Sequence, residues 1–462
     1  MRASWVLGSA VLGTALCLTV ACGSSNGSSL DNANTPYGQG ADGSSGSFTN
    51  SGDGGTSSGP CTGLQCQVTA CGSGSTTLTG TVFAPNKTDP LYNAILYVPN
   101  DKLDPFPAGV NCDKCGALAS GKPITSALSG PDGKFRLENV PTGDNIPLVI
   151  QIGRWRRQVT IPRVDACKDT ALDAEQTRLP RNKSEGDIPL IAIDTSFYDP
   201  TECILLKIGI DQSEFTAPTG DGRVHLYRGE GASLQGAKIP PASALWQHVE
   251  NLNRYDLVAF PCQVDDSTKP DSAGRANVKS YADSGGRVFV TDLAQEVINQ
   301  APSPWPQTAD WGPSGGFNNP ASIDTTFPKG AALADWLQAT GATTTRGQLE
   351  LQDTYDRFSK ANPPAQRWVY SSTDTQTYSF NTPVEASADN QCGRVVYSSF
   401  HIAAEDTSGG GGLGFPGSTV FPTVCSSGPL TAQEKILEFL LFDLASCIQK
   451  DDTAPVAPPP VH

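Results

Sequence analysis

Three residues able to do acid–base or thiol chemistry stand directly behind apolar runs that read as strands. Cys262 follows the run 255–260, Asp292 follows 287–291, and His401 follows 394–400. A fourth run, 204–210, is followed by Asp211 and Glu214. Ligands of parallel sheets bind beyond the carboxyl ends of the strands. If these runs lie parallel, their ends form the best candidate site in the chain. His401 is a candidate general base, oriented by Asp292 or Glu405. The simpler reading is a histidine that closes its strand by hydrogen bonding to a loop. Cys262 is a candidate nucleophile, but nearby Asp265 and Asp266 oppose a thiolate, and a disulfide or spare thiol is the simpler reading. Asp211 and Glu214 could bind a hard cation, yet no calcium-loop spacing surrounds them. No residue is assigned a catalytic role outright, and no metal or cofactor is expected.

The chain carries 13 cysteines. Cys17 falls in an apolar leader and Cys22 at its end, which leaves eleven in the body of the protein. Disulfides are the default for an exported chain, and an odd count leaves one thiol free. Cys112 and Cys115 also have the spacing of a zinc pair or a redox pair. No matching second pair follows, and no strand-to-helix context surrounds them.

Arg154-Trp155-Arg156-Arg157 is unusual in a chain of net charge −15. Trp155 and Arg156 could grip an acidic glycan or a phosphate, with the indole stacking. The plainer reading is an edge strand with solvated arginines, which block edge pairing, and one core tryptophan. The acidic balance makes nucleic acid a poor partner, since its binding rests on neutralising phosphates.

Two kinds of pattern position these residues. Between 60 and 175, short alternating runs at 76–83, 93–99, 133–137, 146–152 and 158–161 predict a β-sandwich. From 187 to 448, strand-like runs alternate with helical periods over 242–252, 273–284, 329–340 and 431–448. This predicts an α/β domain with a parallel sheet covered on both faces. Thr431 and Glu434 have capping-box spacing. The fold class expected is thus α+β multidomain. Residues 176–186 read as a linker and the proline-rich 449–462 as a disordered tail.

The N-terminus sets the compartment. Met1 and Arg2 precede a mostly apolar run to residue 21, shorter than the ~20 apolar residues of a membrane-spanning helix, which reads as a secretory signal. Residues 18–22 (LTVAC) resemble the bacterial lipobox, which implies lipidation of Cys22. Residues 22–59 are rich in Gly, Ser, Asn and Asp and read as a disordered tether.

Further resemblances follow from short motifs. Residues 80–82 (GTV), 94–98 (AILYV), 132–135 (DGKF) and 140–143 (VPTG) resemble the carboxypeptidase regulatory-like domain, a transthyretin-like sandwich. That resemblance implies a non-catalytic module. Its loop at 100–125, with Cys112 and Cys115, departs from the short family hairpin. Residues 255–261 (YDLVAFP), 281–290 (YADSGGRVFV) and Phe400-His401 resemble the class I glutamine amidotransferase-like superfamily, which implies a flavodoxin-like α/β domain. That family carries a nucleophilic cysteine in a Gly-x-Cys-x-Gly turn. Here the place reads Val290-Thr291-Asp292-Leu293-Ala294, without the cysteine or the glycines. The whole design resembles myxobacterial lipoproteins. It implies a cell-envelope lipoprotein, lipid-anchored at the outer membrane or periplasmic face, acting as a non-catalytic binding or structural module. Its partners would be the membrane and an envelope protein or glycan. The alternatives are an altered hydrolase using His401 with Asp292 or Glu405, or a polysaccharide-binding protein using Trp305 and Trp311.

Overall fold

Residues 134–137 alternate outward Lys134 and Arg136 with inward Phe135 and Leu137, the period-two signature of a half-buried strand. The computed structural model describes residues 61–460 apart from 116–118, 314, 353, 373, 403–419 and 426–427. The leader, Cys22, the tether, Glu405 and the glycines at 409–412 lie outside the described residues. The protein is of the mixed α and β class, and the described residues fall in one compact unit.

The N-terminal part has seven strands: β1 (Thr77–Thr81), β2 (Ile95–Pro99), β3 (Pro123–Leu128), β4 (Lys134–Leu137), β5 (Gly143–Ile152), β6 (Trp155–Val164) and β7 (Asp169–Ala171). They form two sheets, ordered β4-β1-β7 and β3-β2-β5-β6. Strand β3 begins within the long loop noted in the sequence. A short helix, α1 (Ala174–Thr177), follows, capped by Asp173.

The C-terminal part contains β8 (Ile191–Thr195), β9 (Phe215–Thr216), β10 (Val224–Arg228), β11 (Ser233–Leu234), β12 (Leu257–Phe260) and β13 (Arg287–Thr291). Then come β14 (Ala309–Trp311), β15 (Ala321–Ile323), β16 (Gln348–Leu349), β17 (Phe358–Ala361), β18 (Gln366–Tyr370), β19 (Thr375–Thr382) and β20 (Gly393–Ser398). Ten of them make one sheet, ordered β16-β15-β18-β19-β20-β13-β12-β8-β10-β9. From β9 to β20 every neighbouring pair is parallel, and from β20 to β16 every pair is antiparallel.

The helices are α2 (Thr201–Lys207), α3 (Ser243–Trp246), α4 (Val249–Leu252), α5 (Ser272–Asp283), α6 (Glu296–Asn299), α7 (Pro328–Ala339) and α8 (Ala432–Ala445). Successive strand residues point to opposite faces. Ile191, Ile193, Leu257, Ala259 and Phe289 join the core shared with α2, α7 and α8. Ala192, Val258, Phe260, Val288 and Val290 join the core shared with α3, α4 and α5. The first core also contains Leu96, Ile150 and Trp155 from the N-terminal sheets, so the two parts meet through packed apolar surface.

That meeting corrects two expectations. The linker 176–186 is fastened: Arg178 is buried and pairs with Glu175 and Glu185, and Leu179 is in the core. The tail is held as far as it is described. Asp451 pairs with Arg394 at 2.8 Å, and the Asn381 side chain donates to the Gln449 carbonyl at 2.9 Å. Polar and proline-rich composition misleads there because partners far along the chain supply the fixing. The two parts are also crosslinked, by Cys112–Cys392 and Cys115–Cys447. The remaining disulfides are Cys61–Cys66, Cys71–Cys167 and Cys203–Cys425. Among the described residues the single free thiol is Cys262.

Two elements differ from expectation as well. Residues 204–210, read as a strand, lie largely in helix α2. Its residues Thr201 to Leu205 are all buried, so the segment lacks an amphipathic period, and an apolar run alone does not separate strand from helix. The first parallel strand is Ile191–Thr195 instead. The helix expected over 242–252 is broken at His248, whose backbone is extended (φ −131°).

Candidate functional site

The five strands β8, β10, β12, β13 and β20 lie in the spatial order 2-1-3-4-5 of their chain order. In such sheets the crevice opens where the order reverses, between the first and third strands, at their carboxyl ends. Phe260 pairs with Val290, and Thr291 with Ser398. The ends of β12, β13 and β20 are therefore level, and the residues just beyond them are neighbours.

These residues converge. Asp292 Oδ2 lies 3.0 Å from His401 Nε2 and accepts the Cys262 thiol at 3.2 Å. The three donor atoms all lie within 4.8 Å of one another. All three residues are buried. Arg357, one residue before β17, covers the carboxylate in a fork: Nε donates to Oδ1, and Nη2 donates to Oδ2 at 3.2 Å. The Tyr397 hydroxyl donates to the Asp292 carbonyl at 3.0 Å. Asp292 has φ +36°, a conformation disfavoured for a residue with a Cβ and held here by contacts on both its backbone and its side chain.

A second layer ties the strand ends together. The Cys262 backbone N–H donates to Thr291 Oγ1 at 2.9 Å, and the Thr291 hydroxyl donates to Asp199. Asp199 also accepts the Ile402 N–H at 2.8 Å. Ser196, just past β8, donates to the Cys262 carbonyl. The Tyr355 ring lies 4.8 Å from the His401 ring.

Electrostatics follow from this packing. Burial pushes the Cys262 thiol up, and the Asp292 carboxylate adds to it. Burial also acts to raise Asp292, but hydrogen bonds and charge from His401 and Arg357 outweigh it and hold the carboxyl below its ordinary value. Burial raises Asp199, with His401 opposing. Glu202, fully buried on α2, is pushed by burial up to about 8. At neutral pH the cluster holds an ionised Asp292 between a neutral thiol and a cationic guanidinium.

The other candidates lie elsewhere. Asp211 accepts from the Asn182 side chain, while Glu214 is buried and accepts the N–H groups of Lys183 (2.9 Å) and Arg223 (3.0 Å). Their run is a helix, so it does not carry them to the sheet's carboxyl edge. Trp155 is buried against Phe442, and Arg156 is buried against Asp187 with its guanidinium over Phe106. Neither is offered to a glycan, and these arginines are not the solvated edge expected. Trp305 is buried and Trp311 packs among Phe358, Tyr378 and Tyr397. The sequence reading missed Asp199 and Arg357. Asp199 follows the unrecognised first strand, and recognising that strand would have exposed it. Arg357 carries no local signal.

No protein family matches the chain by sequence, and neither does any curated protein. Among solved structures, it is similar to a cytoplasmic protein from Salmonella typhimurium, at 11% identity and TM-score 0.25, covering 46% of this chain and 88% of that one. Two mutants of a type II cohesin–X-dockerin complex from Acetivibrio cellulolyticus are also similar. One has 16% identity and TM-score 0.16, covering 29% of this chain and 85% of that one. The other has 15% identity and TM-score 0.15, covering 32% and 79%. Likenesses this slight establish neither fold nor function.

Proposed function

We propose that the chain is a cell-envelope lipoprotein, anchored through Cys22, whose folded part is a non-catalytic binding or structural module. In this reading residues 60–175 are a carboxypeptidase regulatory-like sandwich and residues 187–448 a degenerate amidotransferase-like domain of flavodoxin-like strand order. One observation carries it. The turn after β13, where the amidotransferase resemblance calls for a nucleophilic cysteine, holds Asp292, and its carboxylate is already taken by Arg357, His401 and Cys262. Thioester chemistry needs a free thiolate with oxyanion donors beside it. Here the only nearby thiol is buried and donates its proton to a carboxylate. The five disulfides fit an exported chain.

The convergence of Cys262, Asp292 and His401 favours a second reading, an altered hydrolase with a displaced nucleophile. Ammonia release from glutamine by the purified protein separates the two. The expected result is none. Turnover that disappears in both Cys262→Ser and His401→Ala would overturn the non-catalytic reading. The anchor has its own check, since palmitate labelling that persists in Cys22→Ala would remove it.

A further inference from the structure

Cys262, Asp292 and His401 present one sulfur, one oxygen and one nitrogen toward a common point. A tetrahedral zinc ion takes bonds of about 2.0–2.3 Å to these donor types. That geometry separates neighbouring donors by roughly 3.3–3.6 Å. The carboxylate oxygen already lies 3.0 Å from the imidazole nitrogen and 3.2 Å from the sulfur. All three atoms lie within 4.8 Å of one another. Shifts of a few tenths of an ångström bring these two edges to ligand spacing, and the third, from sulfur to imidazole, closes from no more than 4.8 Å.

The surroundings are those of a supported ligand set. Each ligand stands at the end of a different parallel strand, so its backbone is fixed by the sheet. Arg357 Nε holds Asp292 Oδ1, and its Nη2 reaches Oδ2, the oxygen that faces sulfur and imidazole, at 3.2 Å. Tyr397 holds the Asp292 carbonyl, Thr291 holds the Cys262 N–H, and Asp199 holds the N–H next to His401. Outer partners of this kind orient metal ligands and tune their affinity. Cys262 is also the one described cysteine left out of the disulfides.

We propose that Cys262 Sγ, Asp292 Oδ2 and His401 Nε2 form a binding site for one zinc-class divalent cation. Mixed sulfur, nitrogen and oxygen donors select zinc or cobalt over magnesium or calcium. On binding, the sulfur–hydrogen bond breaks, a sulfur–metal bond forms and that proton leaves to solvent, while the proton that His401 Nε2 donates to Asp292 moves to Nδ1, so that the Nε2 lone pair takes the metal. Thiolate and carboxylate then balance the dication, and Arg357 keeps its Nε hydrogen bond to Oδ1 while its Nη2 gives up Oδ2 to the metal. Arg357, whose side chain is 25% exposed, and Tyr355, 37% exposed, mark the side from which an ion enters. The inference does not depend on the non-catalytic reading, because an ion can clasp three strand ends without turnover.

Cobalt(II) added to the full-length purified protein tests it. One equivalent should bind with a thiolate-to-cobalt band in the near ultraviolet and intense visible bands of four-coordinate cobalt, and zinc should displace it. Cys262→Ser should remove the near-ultraviolet band. His401→Ala removes a ligand outright and should weaken binding by more than the roughly 10- to 100-fold seen when only an outer partner is lost. His248→Ala, at an exposed histidine, should change nothing. Binding that survives both Cys262→Ser and His401→Ala, or no uptake from excess cobalt, would overturn the site. Should the variants fail to fold, zinc K-edge absorption of the unaltered protein decides. One sulfur neighbour at about 2.3 Å supports the site, and zinc bound without sulfur contradicts it.

Discussion

Two of the buried clusters of charge among the described residues are built differently. One ties the tail and α8 to the sheet: Arg394 and Lys329 face Asp443 and Asp451, at 2.8–2.9 Å for the arginine contacts and 2.7 Å for Lys329–Asp443. Two cations meet two anions, and all four side chains are buried or nearly so. The other centres on Asp292, where one carboxylate is shared by an arginine, an imidazole and a thiol, on a backbone at φ +36°. The first cluster has the composition of a lock. The second gathers three kinds of donor at the carboxyl edge of a parallel sheet. Buried charge alone therefore does not mark a site here. Donor variety, backbone strain and sheet topology together do.

Arg394→Ala leaves two buried carboxylates short of a partner and should cost about 3–5 kcal/mol, read as a drop in unfolding free energy. A loss below about 1 kcal/mol would mean the cluster does not fasten the tail. One of the two disulfides between the parts comes next. Replacing Cys115 and Cys447 by Ser should cost about 2–5 kcal/mol, and an unchanged Tm would show that Cys112–Cys392 and the apolar interface suffice without it. The interface is tight in its own right: Gly153 has φ +51°, and a Cβ there would meet the Ala445 carbonyl at 1.8 Å.

Glu202 sharpens the site end of the comparison through pH. The unfolded chain gives up this proton near 4.5, and the folded chain near 8. The stability that the neutral carboxyl allows is thus fully present below pH 4.5 and is lost as pH rises to about 8. Glu202→Gln should flatten that decline, by a few kcal/mol at most across the window. An unaltered pH profile would place an ionised carboxylate in the core. The smallest effect belongs to Arg357→Ala. Its side chain is partly exposed, so the loss should be about 1 kcal/mol, well below that of Arg394→Ala. A larger penalty would make the Asp292 cluster a lock as well.

The sequence made the frame legible where local patterns decide structure. Strands 257–260, 287–291 and 393–398 are short apolar runs between turns. Helix α8 opens at Thr431 with the capping box to Glu434, and both of its hydrogen bonds are present. Cys262, Asp292 and His401 were readable as strand-end residues for the same reason. What escaped is set by distant contacts. The strand Ile191–Thr195 includes the buried acid Asp194, and helix α2 is buried nearly all round. Arg357 reaches Asp292 from 65 residues away, and the tail is ordered by Arg394. In the antiparallel extension the short strand β15 pairs with β16 and β18 far along the chain, and no period in the sequence announces it.

Thiol reactivity tests the central claim most directly. The account holds Cys262 as the one free thiol among the described residues, buried and kept protonated beside Asp292. Alkylation of the protein without reduction should therefore be slow at Cys262 in the native state at neutral pH, and among the described cysteines should reach one thiol per chain only after denaturation. Rapid stoichiometric labelling of Cys262 in the folded protein would reveal an accessible thiolate and contradict the non-catalytic reading.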